Sequence, residues 1–270
     1  MTMQEAATRE ENMLLSEIVD NIAWITFNNP NRMNAMSQEM WDNSAALLDQ
    51  YGKDNNVRAI VLKGAGNRAF VAGADISKFG SERASKEAMV SYDNSVAGFH
   101  SSLNAVAKPT IAQVNGYCIG GGLAIAIGCD IRICSDKSTF GVPAAKLGIG
   151  YKAKGIRELE RLVGPAFTAE IFYTARQFNA EEARVMGLVN RVVKEQDLEA
   201  TVNDMITRIA QNAPLSIKAV KESLIESGKP ECDWDLSAHE ATVRQCQTSA
   251  DYTEGRTAFM EKRVPRFTGQ

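Results

Sequence analysis

The sequence predicts an α/β fold with an α-helical C-terminal region, and two observations carry that prediction. Before residue 164, short segments that favour strands alternate with segments that favour helices. Across residues 164–262, several helical segments surround a single predicted strand at Leu188–Val193. Alternating strands and helices are typical of an α/β body, and the later run of helices indicates a helical C-terminal region.

Five short segments predict the strands of the α/β body. In Ile22–Phe27 the side chains alternate between two faces, and an Asn-Asn-Pro-Asn turn follows. The other segments are short and mostly apolar, as expected for buried strands. They are Ala59–Leu62, Phe70–Ala72, Thr110–Val114 and Ile131–Cys134.

Three segments between these strands predict helices. Ser37 is a suitable N-cap for a helix that runs to about Tyr51. Residues 81–107 are charged first and amphipathic later, which predicts a mobile loop and then a helix that ends near Lys108. The segment Leu123–Gly128 is apolar throughout, so we expect a buried helix there.

Composition and charge exclude several classes of function. The chain is 44% hydrophobic and 23% charged, which is ordinary for a globular protein. Its net charge of −3 gives no basic surplus for binding a phosphate backbone, so nucleic acid is not expected as a partner. Five cysteines without a C-x-x-C pair indicate a reducing compartment.

The histidine content bears on metal binding. The chain has only two histidines, His100 and His239, and they lie far apart in the sequence. A site with several histidine ligands is therefore excluded, and we expect no metal. His100 falls in a predicted amphipathic helix, where we interpret it as a packing residue.

No segment predicts a membrane span or a secretory signal. The start, Met1–Asn12, is polar and lacks an apolar core. The most apolar stretch, Ile119–Ile133, is rich in glycine and is interrupted by Asp130. We therefore expect a cytoplasmic protein without a membrane partner.

Two glycine-bearing segments carry the chemical signal. Phe70–Ile76 contains Gly-Ala-Asp directly after a predicted strand, and Val114–Gly122 joins a strand to the buried helix. Glycine lets the backbone approach a ligand closely, and a helix start leaves N–H groups without partners. Such donors suit a carbonyl oxygen that becomes negative during a reaction. The alternative is that Gly120–Gly122 forms only a tight, closely packed turn.

Neither segment predicts nucleotide binding, because the chain lacks both G-x-G-x-x-G and G-x-x-x-x-G-K-[ST]. Taken in order, however, the motifs resemble the crotonase (enoyl-CoA hydratase/isomerase) superfamily. The resemblance spans roughly residues 15–267. It is carried by Phe70–Ile76, Val114–Gly122, Asp130–Ile133 and the A-x-x-A-x-x-x-G-L-V-N-x-V-V pattern of Ala180–Val193.

The resemblance implies a crotonase-like spiral of ββα units. It divides the chain into a polar lead-in at residues 1–14, a spiral core with the acyl-CoA site at residues 15–200, and a helical trimerisation region at residues 201–270. The implied assembly is a homotrimer, or a hexamer made of two trimers. The implied ligand is an acyl-CoA, whose coenzyme A is part of the substrate, so no separate cofactor is expected.

The resemblance also implies the site residues. The backbone N–H groups of Ala74 and Gly121 correspond to the two donors of the oxyanion hole. The remaining substrate and CoA contacts are implied at Arg32, Asn34, Ala35, Ala72, Gly73, Asp75, Ile76, Lys78, Gly120, Ala124 and Ala144, with Phe259 and Lys262 from the C-terminal region.

The resemblance breaks at the acid and base of the family's hydratases. These enzymes use two glutamates, whose positions are occupied here by Ala124 and Ala144. Some family isomerases and dehalogenases carry an aspartate where this chain has Lys152. Because methyl groups cannot transfer protons, standard two-glutamate hydration is not expected. Other carboxylates that could substitute are Glu82, Glu87 and Asp93.

Three functions therefore stay open. The first is an acyl-CoA lyase or isomerase that stabilises a thioester enolate in the oxyanion hole. The second is decarboxylation of a malonyl-type CoA thioester, because the segment Leu147–Tyr151 is similar to that of methylmalonyl-CoA decarboxylases, in which the tyrosine lies in the active site. The third is a non-catalytic acyl-CoA-binding subunit.

Overall fold

The computed structural model describes residues 12–75, 78 and 84–270. Ile76 and Glu82, and residues 81–83 of the predicted loop, lie outside the described residues. The described chain forms the following strands: β1 (Leu14–Val19), β2 (Ile22–Phe27), β3 (Ala59–Gly64), β4 (Ala69–Val71), β5 (Thr110–Val114), β6 (Tyr117–Ile119), β7 (Ile131–Ser135), β8 (Thr139–Gly141), β9 (Phe178–Asn179) and β10 (Arg191–Val193).

Helices connect the strands and then form the C-terminal region. They are α1 (Gln38–Lys53), α2 (Lys86–Ala105), α3 (Gly121–Gly128), α4 (Ala153–Thr174), α5 (Ala180–Val185), α6 (Leu198–Ala210), α7 (Pro214–Ser227), α8 (Leu236–Thr248) and α9 (Ala250–Glu261). The predicted α/β class with a helical C-terminal region is confirmed. No helix in the described ranges is long and apolar enough to cross a membrane.

The strands form two sheets that the chain builds together. The first sheet has the order β1-β2-β3-β5-β7-β10, and the second has the order β4-β6-β8-β9. The pairs β3/β4, β5/β6 and β7/β8 each give one strand to each sheet, and most neighbours run parallel. Each turn of chain therefore adds two short strands and usually a helix, which is a spiral of ββα units.

Apolar side chains pack on both faces of the six-stranded sheet. The larger core contains Phe27, Trp41, Phe70, Phe99 and Phe140, all at most 2% exposed. A smaller core on the opposite face joins β2, β3, β5 and β7 to α6. Burying each such side chain contributes about 1.5–3 kcal/mol before entropy is counted, so the two cores hold the strand ends in place.

An ion pair between a buried lysine and a partly exposed aspartate connects the C-terminal region to the end of α3. Lys221 on α7 is 8% exposed, and its Nζ lies 2.8 Å from Oδ2 of Asp130 and 2.7 Å from the carbonyl oxygen of Lys108. The same Asp130 oxygen accepts hydrogen bonds from the N–H and hydroxyl of Thr110. Asp130 therefore fixes the backbone where α3 meets the sheet.

One predicted strand is too long. The structure has a strand only at Arg191–Val193, not over the whole of Leu188–Val193. The N–H of Leu188 donates to the carbonyl oxygen of Ala183 at 2.9 Å, which closes the turn after α5. Leu188 and Val189 are apolar because they are buried in that turn, not because they form a strand. Leu14, the last residue of the predicted lead-in, begins β1.

Candidate active site

The two glycine-bearing segments leave adjacent strands at the same edge of the second sheet. Strands β4 and β6 are parallel neighbours, with Ala69 opposite Tyr117 and Val71 opposite Cys118. The chain that follows β4 is Ala72–Asp75, and the chain that follows β6 enters α3. Because both strands point the same way, the two segments emerge side by side.

Close backbone contact brings these segments together. Gly73 has φ +101° and Gly120 has φ +56°, both in the region that favours glycine. A Cβ placed on Gly121 would lie 3.9 Å from the carbonyl carbon of Gly73 and 3.4 Å from the Trp41 ring. On Gly122 it would lie 1.9 Å from the carbonyl oxygen of Val71. Tight packing therefore explains Gly122, whereas Gly121 has room for a methyl group.

The Ala74 amide is left free by the hydrogen bonds of its neighbours. Ala74 forms a parallel bridge with Met36, in which the Met36 N–H donates to Gly73 and the Asp75 N–H donates to Met36. In such a bridge the residue between the two bonds, here Ala74, has its N–H pointing away from the partner segment that contains Met36. Among the described residues, the Ala74 amide has no acceptor.

The Gly121 amide is free for a different reason. Gly121 is the first residue of α3, and the first N–H groups of a helix have no partner within it. The N–H of Gly120 before it is used, donating to Gly141 at 2.9 Å. No described residue accepts from Gly121. Two unused amides therefore come from two backbone segments that touch.

Hydrogen bonds join the loop before α1 to strand β4 and to the segment that contains Ala74. Asn34 is 1% exposed, accepts from the Asn29 N–H and donates to the carbonyl oxygens of Ala65 and Ala69. Both of its amide hydrogens are therefore used within the protein. The Ala72 N–H donates to Met33 at 3.1 Å, which ties the two loops together.

The other residues predicted to contact CoA differ in exposure. Arg32 is exposed, Lys78 is partly buried, and Ala35 and Asp75 are buried at 7% and 4% exposure. In the C-terminal region Phe259 is 83% exposed, and Lys262 is an exposed residue that ends α9 with φ +55°. Neither of these two packs into the core of its own chain.

The acyl side of the site lacks the family's carboxylates. Ala124 lies on α3, one turn after Gly121, and Ala144 is 8% exposed. Nζ of Lys152 lies 2.8 Å from Oδ2 of Asp93, and both side chains are exposed. Asp93 is therefore already paired, and an exposed pair of this kind contributes little to stability.

Tyr151 lies half-buried, two residues before the start of α4. Its ring packs edge-on against Phe172 with centroids 4.8 Å apart, and a Cβ on Gly155 would lie 3.1 Å from it. Burial raises the pKa of Tyr151, and the charge of Glu158 raises it further. The phenol therefore stays neutral near pH 7 and can donate a hydrogen bond. No described residue accepts one from it.

His100 lies on α2, where its ring packs against aromatic side chains next to the candidate site. Its ring lies 6.1 Å from the Trp41 ring and 5.4 Å from Phe99, measured between centroids. Burial, and then the charge of Lys154, lowers the pKa of His100 to about 4. His100 thus touches the tryptophan that lies against Gly121, a contact between α1 and α2 that sequence spacing cannot show.

The pKa of His100 predicts acid sensitivity. Its folded-state pKa of about 4 is below the ordinary 6.5, so between these values the unfolded chain binds the proton more readily. Stability should fall as the pH drops from 6.5 to 4, by about 1–3 kcal/mol once partial exposure is allowed for. Urea unfolding of the wild type and of His100→Gln at pH 7 and pH 4.5 measures this. An equal loss in both proteins would contradict the assignment.

Comparison with known proteins identifies the family. The family model described as enoyl-CoA hydratase/isomerase matches residues 17–270. The chain belongs to this family. The crotonase-superfamily resemblance seen in the motifs is thus confirmed.

A cleft of about 530 Å³ lies on the face of the six-stranded sheet that carries the smaller core. It is lined by Trp24, Lys63 and Gln113 among others, and it contains none of the predicted site residues.

Individual relatives of the enoyl-CoA hydratase/isomerase family match nearly the whole chain. The short-chain-enoyl-CoA hydratase of Clostridium acetobutylicum is 34% identical over 259 residues, covering 94% of this chain and 97% of the relative. The crotonyl-CoA hydratase of Syntrophomonas wolfei is also 34% identical, covering 95% and 98%. The crystal structure of an enoyl-CoA hydratase/carnithine racemase from Magnetospirillum magneticum matches with a TM-score of 0.91, 34% identity and 96% coverage of both chains. The crotonase-like spiral is confirmed by this match.

Proposed function

We propose that this chain is an acyl-CoA enzyme that holds a thioester carbonyl oxygen with the backbone amides of Ala74 and Gly121. The carrying observation is that these two amides have no acceptor among the described residues and belong to segments in contact. Negative charge that develops on the oxygen would be stabilised by both donors, each worth about 3–4 kcal/mol of barrier. A thioester enolate is the species that this arrangement favours, which supports a lyase or isomerase.

Hydration by the usual pair of glutamates is not part of the proposal. Although relatives of this chain are named hydratases, Ala124 and Ala144 offer no group to activate water or deliver a proton. Lys152 and Asp93 are paired with each other at an exposed position. The chain therefore runs a reaction that needs no carboxylate at these two positions, or hydrates slowly.

A second candidate is decarboxylation of a malonyl-type CoA thioester, which Tyr151 favours. The bond between the α-carbon and the carboxylate would break, CO₂ would leave, and the electron pair would pass into the enolate held by Ala74 and Gly121. No base has to remove a proton. The neutral phenol of Tyr151 could then return a proton to the α-carbon, and the methyl groups of Ala124 and Ala144 would keep water from the carboxylate.

The decarboxylase candidate is tested by CO₂ release from methylmalonyl-CoA. We expect Tyr151→Phe to lower kcat by about 10²-fold, the lower end for a lost general acid. Tyr173→Phe is the matched control, because Tyr173 is 84% exposed. Equal turnover in both variants would remove Tyr151 from the chemistry. Absence of CO₂ from the wild type would exclude decarboxylation of this substrate.

A non-catalytic acyl-CoA-binding subunit makes the opposite prediction. The alanines at positions 124 and 144 are the observation in its favour. It predicts tight binding of acyl-CoA thioesters with no turnover across enoyl-, malonyl- and hydroxyacyl-CoA. Turnover of any of these above the uncatalysed rate, lost in a Gly121 variant, would exclude it.

We also propose that the site is completed by CoA contacts and by assembly. Arg32 and Lys78 carry the positive charge that the phosphates of CoA would need.

Assembly is supported by exposed apolar side chains in the C-terminal region, which favour a subunit contact there, as in a trimer or hexamer. They are Phe259, Met260 and Val264, which are 83%, 80% and 78% exposed. No cofactor beyond the substrate's own CoA is required, and a cytoplasmic location fits this chemistry.

A further inference from the structure

A large aromatic side chain lies directly beside the Gly121 backbone. Trp41 on α1 comes so close that a Cβ placed on Gly121 would lie 3.4 Å from one carbon of the indole ring and 3.7 Å from the next. The same Cβ would lie 3.9 Å from the carbonyl carbon of Gly73, the residue before Ala74. The indole therefore borders the place where the two oxyanion segments meet. The proposed enolate chemistry gives it no role.

The indole is held in one orientation by its neighbours on α2. Its Nε1 donates a hydrogen bond to the hydroxyl of Tyr92 at 3.1 Å, and its ring packs against Phe99 with centroids 5.1 Å apart. Trp41, Tyr92 and Phe99 are 2%, 4% and 0% exposed. Turning the ring away would leave a buried N–H without an acceptor, which is costly. The indole is therefore a rigid boundary, not a side chain that moves aside at little cost.

Side chains from α1 and α2 also close the face of α3 that follows Gly121. Gly121, Ala124 and Gly128 are spaced by three and four residues, so they lie on one side of this helix. Trp41 covers the first of these positions. At the last, a Cβ on Gly128 would lie 2.7 Å from Cδ2 of Leu103, which is 1% exposed.

The exposure of these residues shows where a ligand has room. Gly121 and Ala124 are partly exposed, so water reaches them, but it hardly reaches Trp41 or Leu103. A thioester carbonyl held by the Ala74 and Gly121 amides would put the first carbons of the acyl group beside Ala124. The space into which a longer chain would continue along α3 is occupied by protein.

We infer that Trp41 limits the length of the acyl chain, so that the substrate is a short-chain acyl-CoA thioester. The inference rests on the proposed acyl-CoA function and names the substrate class of the same site. The limit is steric, because a rigid and closely packed boundary cannot accept additional methylene groups. Trp41 is thus a specificity-determining residue, and it takes no part in proton transfer.

A series of unreactive thioesters tests the limit. Acetyl-, butyryl-, hexanoyl- and octanoyl-CoA are compared by calorimetric titration of the full-length wild type. In an open apolar channel each added methylene group would strengthen binding by about fourfold. We expect octanoyl-CoA to bind no more tightly than butyryl-CoA. A gain of tenfold or more from butyryl- to octanoyl-CoA would overturn the inference.

Trp41→Leu assigns the limit to the indole. The smaller side chain opens an apolar cavity beside the site, and such a cavity stays dry and binds apolar groups. The affinity for octanoyl-CoA relative to butyryl-CoA should therefore rise at least tenfold. Trp41→Phe, a milder change that preserves folding better, should raise the ratio of hexanoyl- to butyryl-CoA affinity by a few-fold. Thermal unfolding verifies that each variant folds.

Trp24→Leu is the matched control. It makes the same substitution at another buried tryptophan, 8% exposed, in the smaller core on the opposite face of the six-stranded sheet. We expect it to keep the chain-length profile of the wild type. An unchanged profile in the folded Trp41 variants, or an equal change in Trp24→Leu, would contradict the role of Trp41.

Failure of this inference is distinguishable from failure of the proposed function. If the four thioesters bind with an affinity that rises steadily to octanoyl-CoA, the acyl-CoA function stands and the length limit does not. If none of them binds, the acyl-CoA function itself fails. Binding separates the two without depending on which reaction is catalysed.

Discussion

Replacing Gly121 with proline is expected to lower kcat/KM for the enzyme's thioester substrate by about 10²- to 10³-fold, because it removes one oxyanion donor. Proline has no N–H, and the first position of a helix tolerates its fixed backbone angle. The substitution therefore deletes the hydrogen bond with little disruption of α3 itself. Steady-state kinetics on the thioester that gives the best turnover measures the effect.

Gly121→Ala is the matched control for this variant. It keeps the N–H and adds a methyl group 3.4 Å from the Trp41 ring, which is an ordinary contact distance. We expect its kcat/KM to stay within a few-fold of the wild type. Thermal unfolding of both variants verifies that they fold. A folded Gly121→Pro with unchanged kcat/KM would contradict the role of this amide.

Crotonyl-CoA hydration is expected to be at least about 10⁴-fold slower than in the short-chain-enoyl-CoA hydratase of Clostridium acetobutylicum. A single general acid or base typically contributes about 10²- to 10⁴-fold, and both glutamate positions are alanine here. Measuring both enzymes under one set of conditions by loss of the enoyl absorbance gives the ratio.

Restoring the carboxylates supplies the control for that measurement. The double variant Ala124→Glu, Ala144→Glu should hydrate crotonyl-CoA faster than the wild type, and Ala124→Gln, Ala144→Gln, which has the same bulk without the acid, should not. Hydration by the wild type at the relative's rate would show that other groups act as acid and base. In that event, His100 and Tyr151 would be the first residues to substitute.

The parts of the fold that sequence predicted well carry their own local signal. The bounds of β2 and β5 agree with prediction, and Ser37 caps α1 by accepting from the Met40 N–H at 3.2 Å. Strands β6, β8 and β9 have only two or three residues each. Their extended form depends on pairing with neighbouring turns of the spiral, so no pattern within them could predict it.

The candidate site also has a part that the sequence could predict and a part that it could not. The segments around Ala74 and Gly121 were recognisable because glycine at a strand-to-helix junction is a local feature. The pairing of Lys152 with Asp93 and the contact of His100 with Trp41 join α2 to α4 and to α1, between residues 59 apart in the chain in both cases. Such contacts depend on helix packing, which one sequence without coordinates does not contain.

The most direct measurement is a crystal structure of the wild type with a bound acyl-CoA. The thioester oxygen is predicted to lie about 2.7–3.1 Å from the backbone nitrogens of both Ala74 and Gly121. A thioester oxygen bound elsewhere, with either amide donating to a protein acceptor instead, would contradict the proposed oxyanion hole and every reaction derived from it.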